Sequence, residues 1–242
     1  MNNLRVAIVL FIAIQCSQQC ASQQMFVSWR KSATELPQFW EPKTHPVRLR
    51  SPNGKLALRV TAERTGRHYP DDEFVPAYYV VKNGKRLSPA IEPFSVPSAL
   101  WSPSSEMLAV QSTDGGAVGT WLIKIYTVSN DKVSEHDAGV EVRQDLAKKF
   151  PAGLNPRGAQ FFSEREQKDF ARDVSWVNVI ACGWLTAPDR LVVIGGVPPS
   201  GRYGSNLGKE LAYTVDPLTG RILQSYTAKQ ARKKWPQCIT DR

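Results

Sequence analysis

Trp101-Ser-Pro-Ser-Ser-Glu-Met-Leu-Ala-Val110 and, beyond a gap at Asp114-Gly-Gly116, Trp121-Leu-Ile-Lys-Ile-Tyr-Thr-Val128 read as turn, strand, glycine loop and strand. Alternation places Trp121, Ile123, Ile125 and Thr127 on one face of the second strand, and Leu122, Lys124, Tyr126 and Val128 on the other. Both faces are mostly apolar. Such a strand is covered on two sides, between neighbouring sheets or at the centre of a sandwich.

The same unit recurs on either side. Upstream, Ser51-Pro-Asn-Gly-Lys-Leu-Ala-Leu-Arg-Val60 opens with a turn, in which Pro52 pre-sets a negative φ and Gly54 can take a positive one. Leu56, Leu58 and Val60 then alternate with Ala57 and Arg59. Ala77 to Val81 returns the chain, and Asn83-Gly84 is a hairpin signal of the type I′ kind. Downstream, Ala187-Pro-Asp-Arg-Leu-Val-Val-Ile194 repeats the pattern loosely, and a further hairpin follows from Leu211, Tyr213 and Val215 through Asp216-Pro-Leu-Thr-Gly220 to Ile222–Tyr226.

Between these β segments the period changes. Val142, Leu146 and Phe150 recur every four residues before Pro151, the mark of an amphipathic helix with a hard stop. Ser163-Glu-Arg-Glu166 is a capping box for a second helix to about Asp173, and Thr227-Ala-Lys-Gln230 is another, opening a short basic helix that ends near Trp235-Pro236. Met25 to Arg50, with Pro37, Pro42 and Pro46, reads as an extended segment that wraps the domain and buries Trp29, Phe39 and Trp40. The fold class is therefore mainly β: antiparallel repeated hairpins, with a helical insertion over about 140–175 and a C-terminal helix.

The first residues carry an address. Arg5 precedes nine apolar residues, Val6 to Ile14, and polarity returns at Gln15, the pattern of a signal peptide over residues 1–22. A run of that length is short for a membrane span, which needs roughly 20 residues. Lipid attachment at Cys16 or Cys20 is the second reading, disfavoured by Gln15 and Gln19 where small residues are wanted. Residues 23–242 then form one domain, exported to the periplasm or beyond, with no transmembrane span and acting as a monomer. Cys182 and Cys238 remain, and in an oxidising compartment an even pair invites a disulfide that staples the C-terminus to the core.

A formal charge of +9 favours encounter with anionic envelope polymers, and a protein is the other expected partner; nucleic acid is not expected for an exported chain. The chemistry-bearing motifs are few. Gly195 to Gly208 imitates a phosphate cradle but lacks Gly-Lys-Ser/Thr and leads into a strand, so it reads as a hairpin loop with Arg202 and Tyr203 at its tip as candidate ligand contacts. Asp71-Asp-Glu73 lacks the alternation of a calcium loop and reads as a solvated acidic loop, with Asp71 and Asp72 as candidate binding residues. His45, His68 and His136 occupy no catalytic or zinc spacing, and no metal, cofactor or catalytic set is read.

Ser51-Pro-Asn-Gly-Lys-Leu-Ala57 and Trp101-Ser-Pro-Ser-Ser-Glu-Met-Leu-Ala-Val110 resemble the Ser-Pro-Asp-Gly-Lys-x-Leu-Ala blade signature of WD-repeat-like propellers in the bacterial envelope, and of the propeller domains joined to some serine peptidases. Asn53 and Ser104 stand where that signature has Asp. The resemblance implies blade-like sheets on a binding scaffold and assigns no functional residue. A blade takes roughly 40 to 50 residues and a ring at least four blades. Three hairpin units, centred near 70, 115 and 210, imply an incomplete or degenerate propeller, or a sandwich of similar hairpins. The function expected is that of a binding or interaction module; the alternative is a small secreted hydrolase whose site is assembled from the His68–Glu73 and Gly195–Gly208 loops.

Overall fold

The computed structural model describes residues 24–36, 48–64, 74–91, 95–113, 120–150, 163, 177–197, 206 and 208–238. Their strands form three antiparallel sheets, each built on a meander of four consecutive strands, with one further edge strand on the second and on the third. The first sheet comprises β3 (Arg48–Arg50), β4 (Leu56–Arg64), β5 (Phe74–Lys82) and β6 (Lys85–Arg86). The second comprises β7 (Ser95–Trp101), β8 (Met107–Thr113), β9 (Trp121–Ser129) and β10 (Lys132–Asp137). The third comprises β11 (Asn178–Leu185), β12 (Arg190–Gly196), β13 (Glu210–Val215) and β14 (Ile222–Thr227). The two downstream hairpin patterns are thus halves of one sheet.

Alternation along the strands decides how the sheets stack. On the second sheet Leu100, Met107, Ala109, Ile123 and Ile125 face a core shared with Val179, Leu191, Val193 and Tyr213 of the third. The opposite face, with Trp101, Leu108, Val110 and Tyr126, shares a second core with Leu58, Val60, Tyr78 and Val80 of the first. All seven residues of β8 are buried. The two-sided coverage expected of the Trp101–Val128 stretch is therefore present, and the second sheet is the middle layer. Leu108 is fully buried, a side chain whose removal from water contributes about 2 kcal/mol.

The N-terminal segment joins two of the layers. β1 (Phe26–Ser28) pairs with β11 at the edge of the third sheet, and β2 (Thr34–Glu35) pairs with β7 at the edge of the second. Between them residues expected to be extended form a single helical turn, α1 (Trp29–Ser32), which buries Trp29 and lets its indole N–H donate to Ser98 Oγ at 3.2 Å. Changing sheets within a few residues requires a corner, and a helical turn supplies it. Phe39 and Trp40 lie outside the described residues.

α2 (Val140–Lys149) occupies the expected helical position, with Val142 and Leu146 fully buried against the third sheet and Asp137 pairing with Arg143 beneath its first turn. The second expected helix, near 163–173, lies outside the described residues apart from Ser163. α3 (Ala228–Lys234) begins with the full capping box: Thr227 Oγ1 accepts from Gln230 N–H, and the Gln230 side chain accepts from Thr227 N–H at 2.8 Å. It covers the far face of the third sheet, where Trp235 meets Tyr226 edge-on at 4.9 Å, and Cys182 is bonded to Cys238 with Cα atoms 5.3 Å apart.

A bulge beside Cys182 resets which residues of β11 face the core. The register of β11 against β12 shifts between Ala181 and Gly183, leaving Cys182 unpaired. Val179 and Ala181 face the central core and Cys182 the outer face by ordinary alternation, and the extra residue then shifts the phase so that Trp184 is the next to enter the central core. Gly183 is required there, because a Cβ would sit 2.2 Å from the carbonyl oxygen of Val27 on β1.

Candidate functional site

The short turns of the meanders meet at one end of the stack. Ser51 N–H donates to Leu56 O at 2.9 Å, Gly54 N–H to Ser51 O at 2.8 Å, and Leu56 N–H to Ser51 Oγ at 3.1 Å. The next sheet repeats this bond for bond: Ser102 N–H to Met107 O at 2.8 Å, Ser105 N–H to Ser102 O at 2.9 Å, and Met107 N–H to Ser102 Oγ at 3.2 Å. Gly54 and Ser105 share a left-handed conformation, φ 72° and 69°. Asn53 Oδ1 accepts from Lys55 N–H as Ser104 Oγ accepts from Glu106 N–H, so the side chains that replace aspartate still cap their turns.

The turns are also bonded to one another. Asn53 N–H donates to Ser105 Oγ at 2.9 Å, and Ser104 N–H donates to Asp189 Oδ2 at 3.1 Å. One residue of each turn therefore reaches into the next, forming a row from the first sheet to the third. The β13–β14 turn adds to this end: Asp216 accepts from Leu218 N–H and from Thr219 Oγ1, which locks its own loop and leaves Leu218 projecting.

Between the second and third sheets this end opens into a cleft of about 650 Å³. Pro103, Pro188 and Pro217 form apolar walls, with Leu218 and Leu223, 62% and 48% exposed, at the mouth. Glu106, Asp189 and Asp216 outnumber the single basic residue of the lining, Arg190. The cleft is thus apolar within and acidic at its rim, on a chain of formal charge +9. A smaller cavity of about 330 Å³ lies under α1 between Trp29, Glu35, Gln111 and Trp121. Gln111 is committed to structure there, accepting from Ala181 N–H at 2.6 Å and so bonding the second sheet to the third.

The titration shifts belong to the core. Burial raises the phenols of Tyr78 and Tyr126 above the ordinary value of 10.0, helped at Tyr126 by the Glu135 carboxylate. Burial likewise raises Tyr213, whose hydroxyl donates to Asp145 Oδ2 at 2.9 Å.

The candidate binding residues Asp71, Asp72, Arg202 and Tyr203, together with His45 and His68, lie outside the described residues. The strand ends that flank them are described: Arg64 pairs with Phe74 and Gly196 with Glu210, each pair at the end of its sheet opposite the turn row. Cys182 and Cys238 are brought together as expected. His136 sits on β10, and its buried Nε2 has no hydrogen-bond partner. Among the described residues no group of acidic, histidine and cysteine side chains could hold a metal ion, and no helix is long and apolar enough to cross a membrane. The turn cleft is absent from the sequence reading, which treated the Ser-Pro turns as structural only. The legible signal was Leu218 and Leu223, two leucines in and beside a polar turn where strand alternation does not place them inward. No protein-family model, curated protein or solved structure matches this chain.

Proposed function

We propose that this chain is an exported binding module that holds a basic, apolar segment of a protein partner in the cleft at the turn end of its three sheets. The observation that carries the reading is the pair of exposed leucines, Leu218 and Leu223, set beside Glu106, Asp189 and Asp216 over proline walls. Exposed leucines contribute binding energy only when a partner covers them, and the acidic rim selects a partner segment carrying lysine or arginine. The turn row makes the site rigid, since Asp189 and Ser104 hold the two sides together, and a preformed site loses less entropy on binding. The signal-like N-terminus and the cystine support export, and the resemblance to propeller blades supports a scaffold that recognises partners through one end of its sheets.

The test is a crosslinking pull-down from native envelopes with the full chain and with a Leu218→Asp, Leu223→Asp variant whose circular dichroism matches. A partner retained by the parent and lost by the variant is expected. Equal recovery by both removes the cleft from the account. The hydrolase alternative requires turnover of an ester or peptide by the purified chain, abolished by substitution of His68 or His136.

A further inference from the structure

The first sheet carries a second charged feature, on the face turned away from the middle layer. Cross-strand register pairs Arg48 of β3 directly with Arg59 of β4, and Arg59 in turn with Tyr79 of β5. Two residues along, Arg50 pairs with Ala57, Ala57 with Val81, and Val81 with Arg86. Directly paired residues share a face, so the four arginines ring a buried cluster of Ala57, Tyr79 and Val81, while Leu49, Leu58 and Val80 face the core on the other side. All four arginines are exposed, and the Arg86 guanidinium stacks over the Tyr79 ring at 3.2 Å from its centroid.

Like charges directly opposed on an antiparallel pair are destabilising, and Arg48 and Arg59 are so placed. Among the described residues neither they nor Arg50 has a carboxylate partner. Thr61, two positions beyond Arg59 on the same face, has a buried hydroxyl without a hydrogen-bond partner. A stack of sheets does not require this arrangement, since the outward positions of β3 and β4 could carry either sign. An anion between the arginines would relieve the repulsion.

We infer that this face is a docking surface for a linear, phosphate-bearing polyanion, with Arg48, Arg50 and Arg59 as its charge contacts. The donor geometry favours phosphate over carboxylate. A planar carboxylate presents both oxygens to one guanidinium fork, whereas the two free oxygens of a chain phosphate project from a tetrahedral centre and can each accept from a different fork. Neighbouring strands lie about 5 Å apart and alternate residues about 7 Å apart, so the array spans more than one phosphate and favours a polymer over the free ion. The surface lies on the first sheet, away from the acidic cleft between the second and third, so the chain could hold a polyanion and a protein segment at once.

The test is fluorescence anisotropy of labelled inorganic polyphosphate with the full, disulfide-intact chain over a series of salt concentrations. Binding that weakens with salt is expected, and free inorganic phosphate should compete poorly. The triple variant Arg48→Gln, Arg50→Gln, Arg59→Gln should lose affinity by about tenfold or more. A control with the same charge removed from the helix on the far side of the third sheet, Lys229→Gln, Arg232→Gln, Lys233→Gln, should stay within about twofold of the parent. Equal losses in the two variants would reduce the effect to net charge and overturn the site, as would a triple variant that binds like the parent. Labelled polyglutamate binding as tightly as polyphosphate would overturn the phosphate assignment. If the triple variant misfolds, the charge-preserving pair Arg48→Lys, Arg59→Lys decides: a severalfold loss supports bridging by the forks, and unchanged affinity refutes it.

Discussion

Ser104 and Asp189, 85 residues apart in sequence, are joined by a hydrogen bond from the Ser104 backbone N–H to the Asp189 carboxylate at 3.1 Å. Each belongs to the Ser-Pro or Ala-Pro turn of its own meander, so this bond locks the second sheet to the third at the mouth of the cleft. Asp189→Ala should cost about 1 kcal/mol, the net value of one partly solvated hydrogen bond. Urea unfolding of parent and variant measures it; coincident midpoints would mean that the turn row holds nothing together.

Gly183 faces the carbonyl of Val27 so closely that no side chain fits, since a Cβ would stand 2.2 Å from that oxygen. Gly183→Ala should therefore release β1 from the edge of the third sheet, a cost of about 2 kcal/mol or more from strain and lost ladder bonds. Hydrogen exchange is the direct readout: the amides of residues 26–28 should lose protection while β12 and β13 keep theirs. Unchanged protection at β1 would contradict the packing described.

The Cys182–Cys238 bond closes a 56-residue separation around the third sheet. Loop-closure entropy for that length predicts a loss of about 4 kcal/mol when it is removed. The double variant Cys182→Ala, Cys238→Ala should unfold at a clearly lower temperature than the oxidised parent, and thiol reductant should lower the parent but leave the variant unchanged. A parent insensitive to reductant would show that the clasp contributes no stability.

Burial raises the phenols of Tyr78, Tyr126 and Tyr213 above 10.0 in the folded chain. A raised folded value means that the stability each contributes is complete below the unfolded value near 10. It is then lost as pH climbs toward the folded value, because the unfolded state ionises first. Above pH 10 stability should fall by about 1.4 kcal/mol per pH unit for each such tyrosine. Tyr213→Phe should remove one of the three slopes. If tyrosinate absorbance shows all the tyrosines of the native protein titrating near 10, the burial argument fails.

Much of this fold was legible because its strongest local signals agree with its tertiary contacts. Asn83-Gly84 forms a turn with positive φ at both residues, 49° and 81°. Thr227-Ala-Lys-Gln230 caps its helix through both expected bonds. The apolar alternation on both faces of Trp121–Val128 required two neighbours, and the second sheet has them. What sequence did not reveal depends on register and on contacts between turns. Nothing local joins Ser104 to Asp189 or sets Arg48 opposite Arg59; both follow from which strand lies beside which. α1 escaped because four residues hold no helical period, and its cause is a change of sheet. The cleft escaped because its lining comes from three turns distant in sequence.

The central claim is that the turn-end cleft takes a segment of a protein partner. The most direct measurement places a photocrosslinking residue at Leu218, in the cleft, or at Lys229 on α3, and irradiates each protein in native envelopes. The account predicts a discrete adduct from position 218 that is absent from position 229 and diminished when Glu106 and Asp216 are replaced by Lys. No adduct at 218, or the same adducts from both positions, would contradict it.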